Sequence, residues 1–145
     1  MCGLVSIHKS GSGTLDGSGP VLGRMLDRIA HRGPDGEGTH KVPSQALFGH
    51  RRLAVIDREQ GQQPMVSEDG RYTLVYNGEI YNYREIREEL NASGVTFQTQ
   101  SDTEVLLRLL IHRGPEALQE LNGMFAFVFH DRELNRWLAA RDHFG

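Results

Sequence analysis

Two helical segments stand back to back in the middle of this chain, with β-like stretches on either side, and that order limits the folds open to it. From Asn82 onward, Tyr83, Ile86 and Leu90 mark one helix face, while Arg84 and Glu88 form an i,i+4 charge pair on the other. A second helix opens at Ser101-Asp102-Thr103-Glu104, a capping box, and carries Val105, Leu106, Leu109 and Leu110 on its apolar face up to Gly114-Pro115. A parallel sheet alternates strand and helix. Strands, then two helices in succession, then strands again suit an α+β layer protein, with helices packed on a largely antiparallel sheet.

The flanks supply the strands. Cys2 to His8 reads as a short apolar strand, 9–19 as a Gly- and Ser-rich loop, and Val21, Leu22, Met25, Leu26 and Ile29 as a helix ending before the turn Gly33-Pro34-Asp35-Gly36. Segments 46–50 and 53–57 look like strand pieces, followed by a polar loop at 58–70. The run 71–76 is β-rich and is closed by Asn77-Gly78, the strongest short hairpin signal. A short strand is expected at 95–98, and 124–129 with 137–140 form a hairpin around the turn 131–135. An edge strand without a neighbour is a liability, so the sequence is expected to stop inside a larger domain at Gly145.

At 145 residues the chain suits one domain, and 38% apolar with 24% charged residues is ordinary globular composition. A net charge of -3, with arginines single or paired, offers no field for a phosphate backbone, so nucleic acid is not expected as a partner. No segment has the roughly 20 apolar residues of a membrane span, and no signal peptide opens the chain, so a cytoplasmic protein is expected. The seven histidines show no ligand-like pairing, so no metal site is expected.

The single cysteine excludes an internal disulfide. Cys2 follows the initiator methionine, and removal of Met1 would leave a thiol and a free α-amine on one residue. An α-amine titrates at about 7.7 to 8.0 and a thiol at about 8.5, so the amine can take the thiol proton near neutral pH. The same cysteine could equally be buried packing in a short apolar strand.

Five motifs bear on that choice: Met1-Cys2-Gly3-Leu4-Val5, His31-Arg32-Gly33-Pro34-Asp35-Gly36, Tyr76-Asn77-Gly78-Glu79-Ile80-Tyr81-Asn82, Ser101-Asp102-Thr103-Glu104 and Arg141-Asp142-His143-Phe144-Gly145. Together, and in this order, they resemble the glutaminase domain of glutamine-hydrolysing asparagine synthetases, a class II glutamine amidotransferase. The resemblance implies one type 2 amidotransferase domain over residues 1–145, truncated and without the synthetase domain. It also implies the N-terminal nucleophile hydrolase fold, a four-layer αββα arrangement with two antiparallel sheets.

What the resemblance implies for the site is specific. Cys2 matches the nucleophile that hydrolyses glutamine to glutamate and ammonia, and Asn77 with the backbone N–H of Gly78 matches the oxyanion hole. Arg52 matches the group that grips the substrate α-carboxylate, Glu79 and Asp102 those that hold its α-ammonium, and Leu53, Ala54, Val55 and Ile56 line the pocket wall. Arg32 resembles an arginine that orders the loops around the nucleophile, although an arginine at a helix exit is also ordinary. No cofactor is expected in this segment; ATP and magnesium belong to the synthetase domain, which would use the ammonia to make asparagine from aspartate. A homodimer is left open. Two other readings stand beside this one: an amidotransferase with another acceptor (glucosamine phosphate, phosphoribosylamine or glutamate synthesis), and a non-catalytic glutamine-sensing or interaction domain.

Overall fold

The computed structural model describes residues 2–54 and 61–144. Along them run β1 (Gly3–His8), α1 (Ser18–Arg28), a 3-10 turn (Ala30–Arg32), β2 (Gly36–Val42), β3 (Ala46–Arg52), β4 (Met65–Val66) and β5 (Tyr72–Ile80). Then come α2 (Tyr83–Ala92), α3 (Asp102–Arg113), a second 3-10 stretch (Gly114–Gln119), β6 (Gly123–Asp131) and β7 (Arg136–Arg141). Two sheets result, in the orders β1-β3-β2 and β4-β5-β6-β7, and the strands within each pair antiparallel.

Side-chain alternation along the strands builds the layers. Val5 and Leu47 turn outward onto Leu22 and Leu26 of α1. Phe48, Ala46 and Val42 turn the other way and meet Val75, with Leu4, Val128 and Trp137 beside them, so the two sheets pack face to face. On the far side of the second sheet, Leu74, Tyr76, Ile80 and Phe127 pack against Ile86 and Leu90 of α2 and the apolar residues of α3. The architecture is therefore α+β with two antiparallel sheets between helix layers. Of the apolar residues spaced for α1, Leu22 and Leu26 are buried, whereas Val21 and Met25 face outward.

Three local expectations change, and one strand forms where none was expected. Asn77-Gly78 makes no turn: β5 runs through it to Ile80 and pairs with β6 throughout. Its hairpin chemistry is overridden because Tyr72–Ile80 matches Gly123–Asp131 residue for residue, which secures more ladder pairing than a turn would. Segment 95–98 is not a strand; its backbone is taken up by Glu104, which accepts from the N–H groups of Gln98 at 3.0 Å and Thr99 at 2.6 Å. β2 arises in a Gly-, Glu- and Lys-containing stretch with weak β propensity, because it is an edge strand paired only with β3. β4 lies inside the segment read as polar loop, and the part of the strand piece at 53–57 beyond Ala54 is outside the described residues.

The capping box forms on one side only. Ser101 Oγ accepts from Glu104 N at 3.2 Å, but the Glu104 carboxylate turns to Gln98 and Thr99 rather than back to Ser101. Glu104 is 4% exposed and accepts from partly buried donors, so its removal leaves the N–H groups of Gln98 and Thr99 without their acceptor. Glu104→Ala is expected to lower the unfolding free energy by about 2 kcal/mol or more, with Glu104→Gln losing less. Urea denaturation reads the difference, and a change within experimental error would show that 98–99 finds other acceptors.

Candidate active site

β1 and β3 bring the chain start to the middle of the molecule. Their register sets Gly3 against Arg51, so Cys2 falls beside Arg52. Alternation then separates the paired arginines. Arg51 points to α1, where its Nε donates to the Leu26 carbonyl at 3.2 Å and its guanidinium pairs with Asp27 and Glu37, whereas Arg52 lines the cavity next to Cys2.

Cys2 is held at two points. Its Sγ accepts from Leu53 N at 3.3 Å and lies 3.5 Å from the Leu53 carbonyl oxygen. Its own carbonyl accepts from Arg32 Nε at 3.0 Å. That contact gives Arg32 a definite role in fixing the backbone of Cys2.

The opposite wall is the edge of β5. β4 pairs only with Thr73 and Leu74, so further along this edge the backbone has no strand partner on that side among the described residues. Tyr76 N donates instead to Gln63 Oε1 at 2.6 Å, and Ile80 N to Asp102 Oδ2 at 3.2 Å. Residues two apart in a strand present their N–H groups to the same edge, so the Gly78 N–H between them faces the cavity. Glycine is required here: a Cβ would collide with the Met124 carbonyl oxygen and lie 2.7 Å from Phe125 Cα across the β5–β6 pair. Phe125 is itself clamped, since its N–H donates to Asp142 Oδ2 at 2.8 Å.

The resulting cavity measures about 120 Å³ and is lined by Cys2, Arg52 and Leu53 on one side and Tyr76, Asn77, Gly78 and Glu79 on the other, with Asp102 and Thr103 at the start of α3. That is well below the roughly 300 to 1,000 Å³ that drug-sized ligands occupy, and suits a small metabolite. Gly61, Gln63 and Met124 complete the wall. The structure thus brings together Cys2, Arg52, Leu53, Asn77, Gly78, Glu79 and Asp102. Ala54 is not among the lining residues, because its N–H turns away to Asp35 Oδ2 at 2.9 Å; Val55 and Ile56 lie outside the described residues. Gly61, Gln63 and Met124 escaped the sequence reading, for they fall in a loop and a strand with no motif to single them out, while Tyr76 and Thr103 lie inside motifs but were given no site role.

Burial sets the electrostatics. Asp102 is 5% exposed; desolvation raises its carboxyl above the usual carboxylate range, against hydrogen bonds from Tyr76 Oη at 2.8 Å and Ile80 N. The Tyr76 phenol is pushed up by burial and by Asp102. His50, on the cavity side of β3, is pushed down to about 4 by burial, with the nearby Arg52 charge adding to that. Among the described residues no three His, Cys, Asp or Glu side chains are grouped as metal ligands, and no helix is long and apolar enough to cross a membrane.

A thiol near the chain start, an inward N–H on a strand edge and opposed charges in one small cavity describe a family when the sequence agrees throughout. A glutamine amidotransferase domain family matches residues 1–145. The chain belongs to the glutamine amidotransferase domain family. It is 44% identical to asparagine synthetase [glutamine-hydrolyzing] 1 of Bacillus subtilis, over all of this chain and 23% of that protein. It is 43% identical to asparagine synthetase B of Escherichia coli, over 81% of this chain and 21% of that protein. The chain therefore spans about a quarter or less of these relatives. Among solved structures, a glutamine phosphoribosylpyrophosphate amidotransferase from B. subtilis, complexed with ADP and GMP, superposes with a TM-score of 0.53 at 26% identity, over 68% of this chain and 23% of that one. The allosteric regulatory enzyme of purine biosynthesis superposes at 0.56 and 29% identity, over 70% of this chain and 24% of that one. The fold of this glutamine amidotransferase domain is accordingly that of the N-terminal nucleophile amidotransferases.

The low-lying His50 makes the stability of the amidotransferase domain pH-dependent. In the unfolded chain this imidazole takes a proton below about 6.5, whereas in the folded domain it stays neutral down to about 4. Its contribution is therefore lost as pH falls through that window. Asp102 acts in the opposite sense, because its raised folded value lets the folded state hold a proton that the unfolded state releases. Between pH 7 and pH 5 the wild type should lose on the order of 2 kcal/mol more than His50→Gln does. Parallel urea titrations at the two pH values measure this, and equal losses would contradict it.

Proposed function

We propose that this domain hydrolyses glutamine to glutamate and ammonia through the thiol of Cys2. The observation that carries the proposal is the single cavity in which Cys2, the Asn77–Gly78 edge, Arg52 and the carboxylates Glu79 and Asp102 meet. Glutamine is zwitterionic at one end and carries an amide at the other. Arg52 receives the α-carboxylate in the bidentate manner suited to a guanidinium, and Glu79 with Asp102 receives the α-ammonium. Anchored there, the side chain extends its carboxamide towards Cys2.

Removal of Met1 leaves the α-amine of Cys2 as the base. It takes the thiol proton while Sγ bonds to the amide carbon, and the oxygen that becomes negative is met by the Gly78 N–H and the Asn77 side-chain amide. The carbon–nitrogen bond then breaks, the proton on the amine passes to the departing nitrogen, and ammonia leaves a γ-glutamyl thioester. Water adds to the thioester with its proton taken by the same amine; glutamate departs and the thiol is restored.

In the complete protein the ammonia would support ATP-dependent synthesis of asparagine from aspartate. Identities of 37 to 46% with glutamine-hydrolysing asparagine synthetases, against 26 to 29% with the purine-pathway amidotransferases, support that acceptor over others. ATP and magnesium would be held by a synthetase domain outside these residues, and no step above runs through either. The lone cysteine, which can form no disulfide within these residues, supports a cytoplasmic location.

Cys2→Ala is expected to abolish glutamine hydrolysis in the complete protein while ammonia-dependent synthesis persists; retained glutaminase activity would sink the assignment. Arg52→Lys should raise the KM for glutamine about tenfold or more with a smaller change in kcat, since it removes a forked contact made equally in ground and transition states. Because Asp102 must be ionised to hold an ammonium and its carboxyl titrates high, KM should rise on acidification from a higher pH than an ordinary carboxylate gives. Initial rates against pH for the wild type and Asp102→Asn test this, and a KM that stays flat in the wild type would remove Asp102 from the ammonium site.

A further inference from the structure

Tyr76 immediately precedes the two residues assigned to the oxyanion hole, and side chains hold its backbone on both sides. Its N–H donates to Gln63 Oε1 at 2.6 Å, and its carbonyl lies 3.0 Å from His50 Nε2. A carbonyl only accepts, so Nε2 of His50 carries the hydrogen. The other ring nitrogen, Nδ1, is buried without a hydrogen-bond partner among the described residues. Protonating it would leave an unsatisfied charged donor in the interior, so the ring is a neutral donor whose one function in this position is to grip the Tyr76 carbonyl. His50 is 1% exposed and reaches across from β3 in the first sheet to β5 in the second.

The Tyr76 carbonyl shares a rigid peptide plane with the Asn77 N–H. Fixing that plane fixes where the Asn77 side chain leaves the strand and, one peptide on, where the Gly78 N–H points. We propose that His50 is a positioning residue of the oxyanion hole, aligning Asn77 and Gly78 through the Tyr76 carbonyl without touching substrate. The kinetic consequence rests on the glutaminase function proposed above; the structural one does not. A donor that aligns the oxyanion hole affects the transition state more than substrate binding, so it moves kcat and leaves KM nearly unchanged. A histidine that merely filled space would be replaced by any side chain of similar bulk.

The side-chain nitrogen of glutamine reaches about as far as Nε2 of histidine, whereas that of asparagine reaches only to Nδ1. In the complete protein, His50→Leu and His50→Asn should lower kcat for glutamine hydrolysis about 10- to 100-fold, short of the roughly 100- to 1,000-fold that follows loss of a whole donor. KM should stay within about threefold, and His50→Gln should recover kcat to within about threefold of wild type. Alkylation of Cys2 by iodoacetamide should be unchanged in all three, because the nucleophile is held elsewhere. Near-wild-type kcat in His50→Leu overturns the proposal, and so does a joint fall of kcat, affinity and alkylation that glutamine does not rescue. Hydrogen exchange read by mass spectrometry over residues 72–80 decides the matter without turnover. Faster exchange there in the leucine and asparagine variants, with wild-type exchange in the glutamine variant and in β6–β7, supports the positioning role; unchanged exchange overturns it. A wild type that fails to hydrolyse glutamine would refute the proposed function and leave this second measurement standing as the test of His50.

Discussion

Among the described residues the edge of β5 has no strand partner past Leu74, because β4 contributes only Met65 and Val66 to the ladder. Buried backbone N–H groups must be satisfied, so the groups along that edge are taken by side chains: Gln63 on Tyr76, Asp102 on Ile80. The Gly78 N–H between them is aimed at the cavity instead of a neighbouring strand. A longer β4 would have closed the sheet and removed the site. A strand that stops early therefore converts ordinary ladder geometry into a donor set in place before any ligand arrives, and a donor fixed in advance costs no reorganisation when charge develops.

The same edge organises charge. Asp102 begins α3, where an acidic side chain is favoured by the helix dipole, yet its carboxylate is used by β5 and by the Tyr76 hydroxyl. Burial disfavours its ionised form, so a cation arriving in the cavity relieves part of that cost. Arg52 stands on the other wall beside Cys2. Opposite charges on facing walls of a small cavity interact through less water than they would at the surface.

Much of this was legible in the sequence where local chemistry and global fold agree. The Ser101 cap, the helix stop at Gly114 and the hairpin of β6 and β7 follow from rules spanning a few residues. Failures came where a distant partner overrides local preference. Asn77-Gly78 has the composition of a hairpin turn but lies flat within β5, because Asn77 pairs with Ala126 and Gly78 with Phe125 some 50 residues away. Segment 95–98 has strand composition but is pinned by Glu104. At the site, residues within motifs were found, whereas Gln63 and His50 act through hydrogen bonds to another strand's backbone and leave no trace in periodicity or spacing.

The position of Cys2 depends in turn on glycines that let chain segments meet. A Cβ on Gly3 would stand 2.8 Å from Ile29 Cδ1, so its absence allows the end of α1 to close over the residue next to Cys2. The chain then turns through Ala30–Arg32, and Arg32 reaches back to the Cys2 carbonyl. At Gly33 it crosses directly over the Arg51–Arg52 peptide, where any side chain would collide with the backbone. That crossing is followed by Asp35 N donating to the Arg52 carbonyl at 2.9 Å and Asp35 Oδ2 accepting from Ala54. One tight crossing thus locates both Cys2 and Arg52, which line the same cavity. A side chain at Gly33 would displace Cys2 and Arg52 together, although Gly33 does not line the cavity.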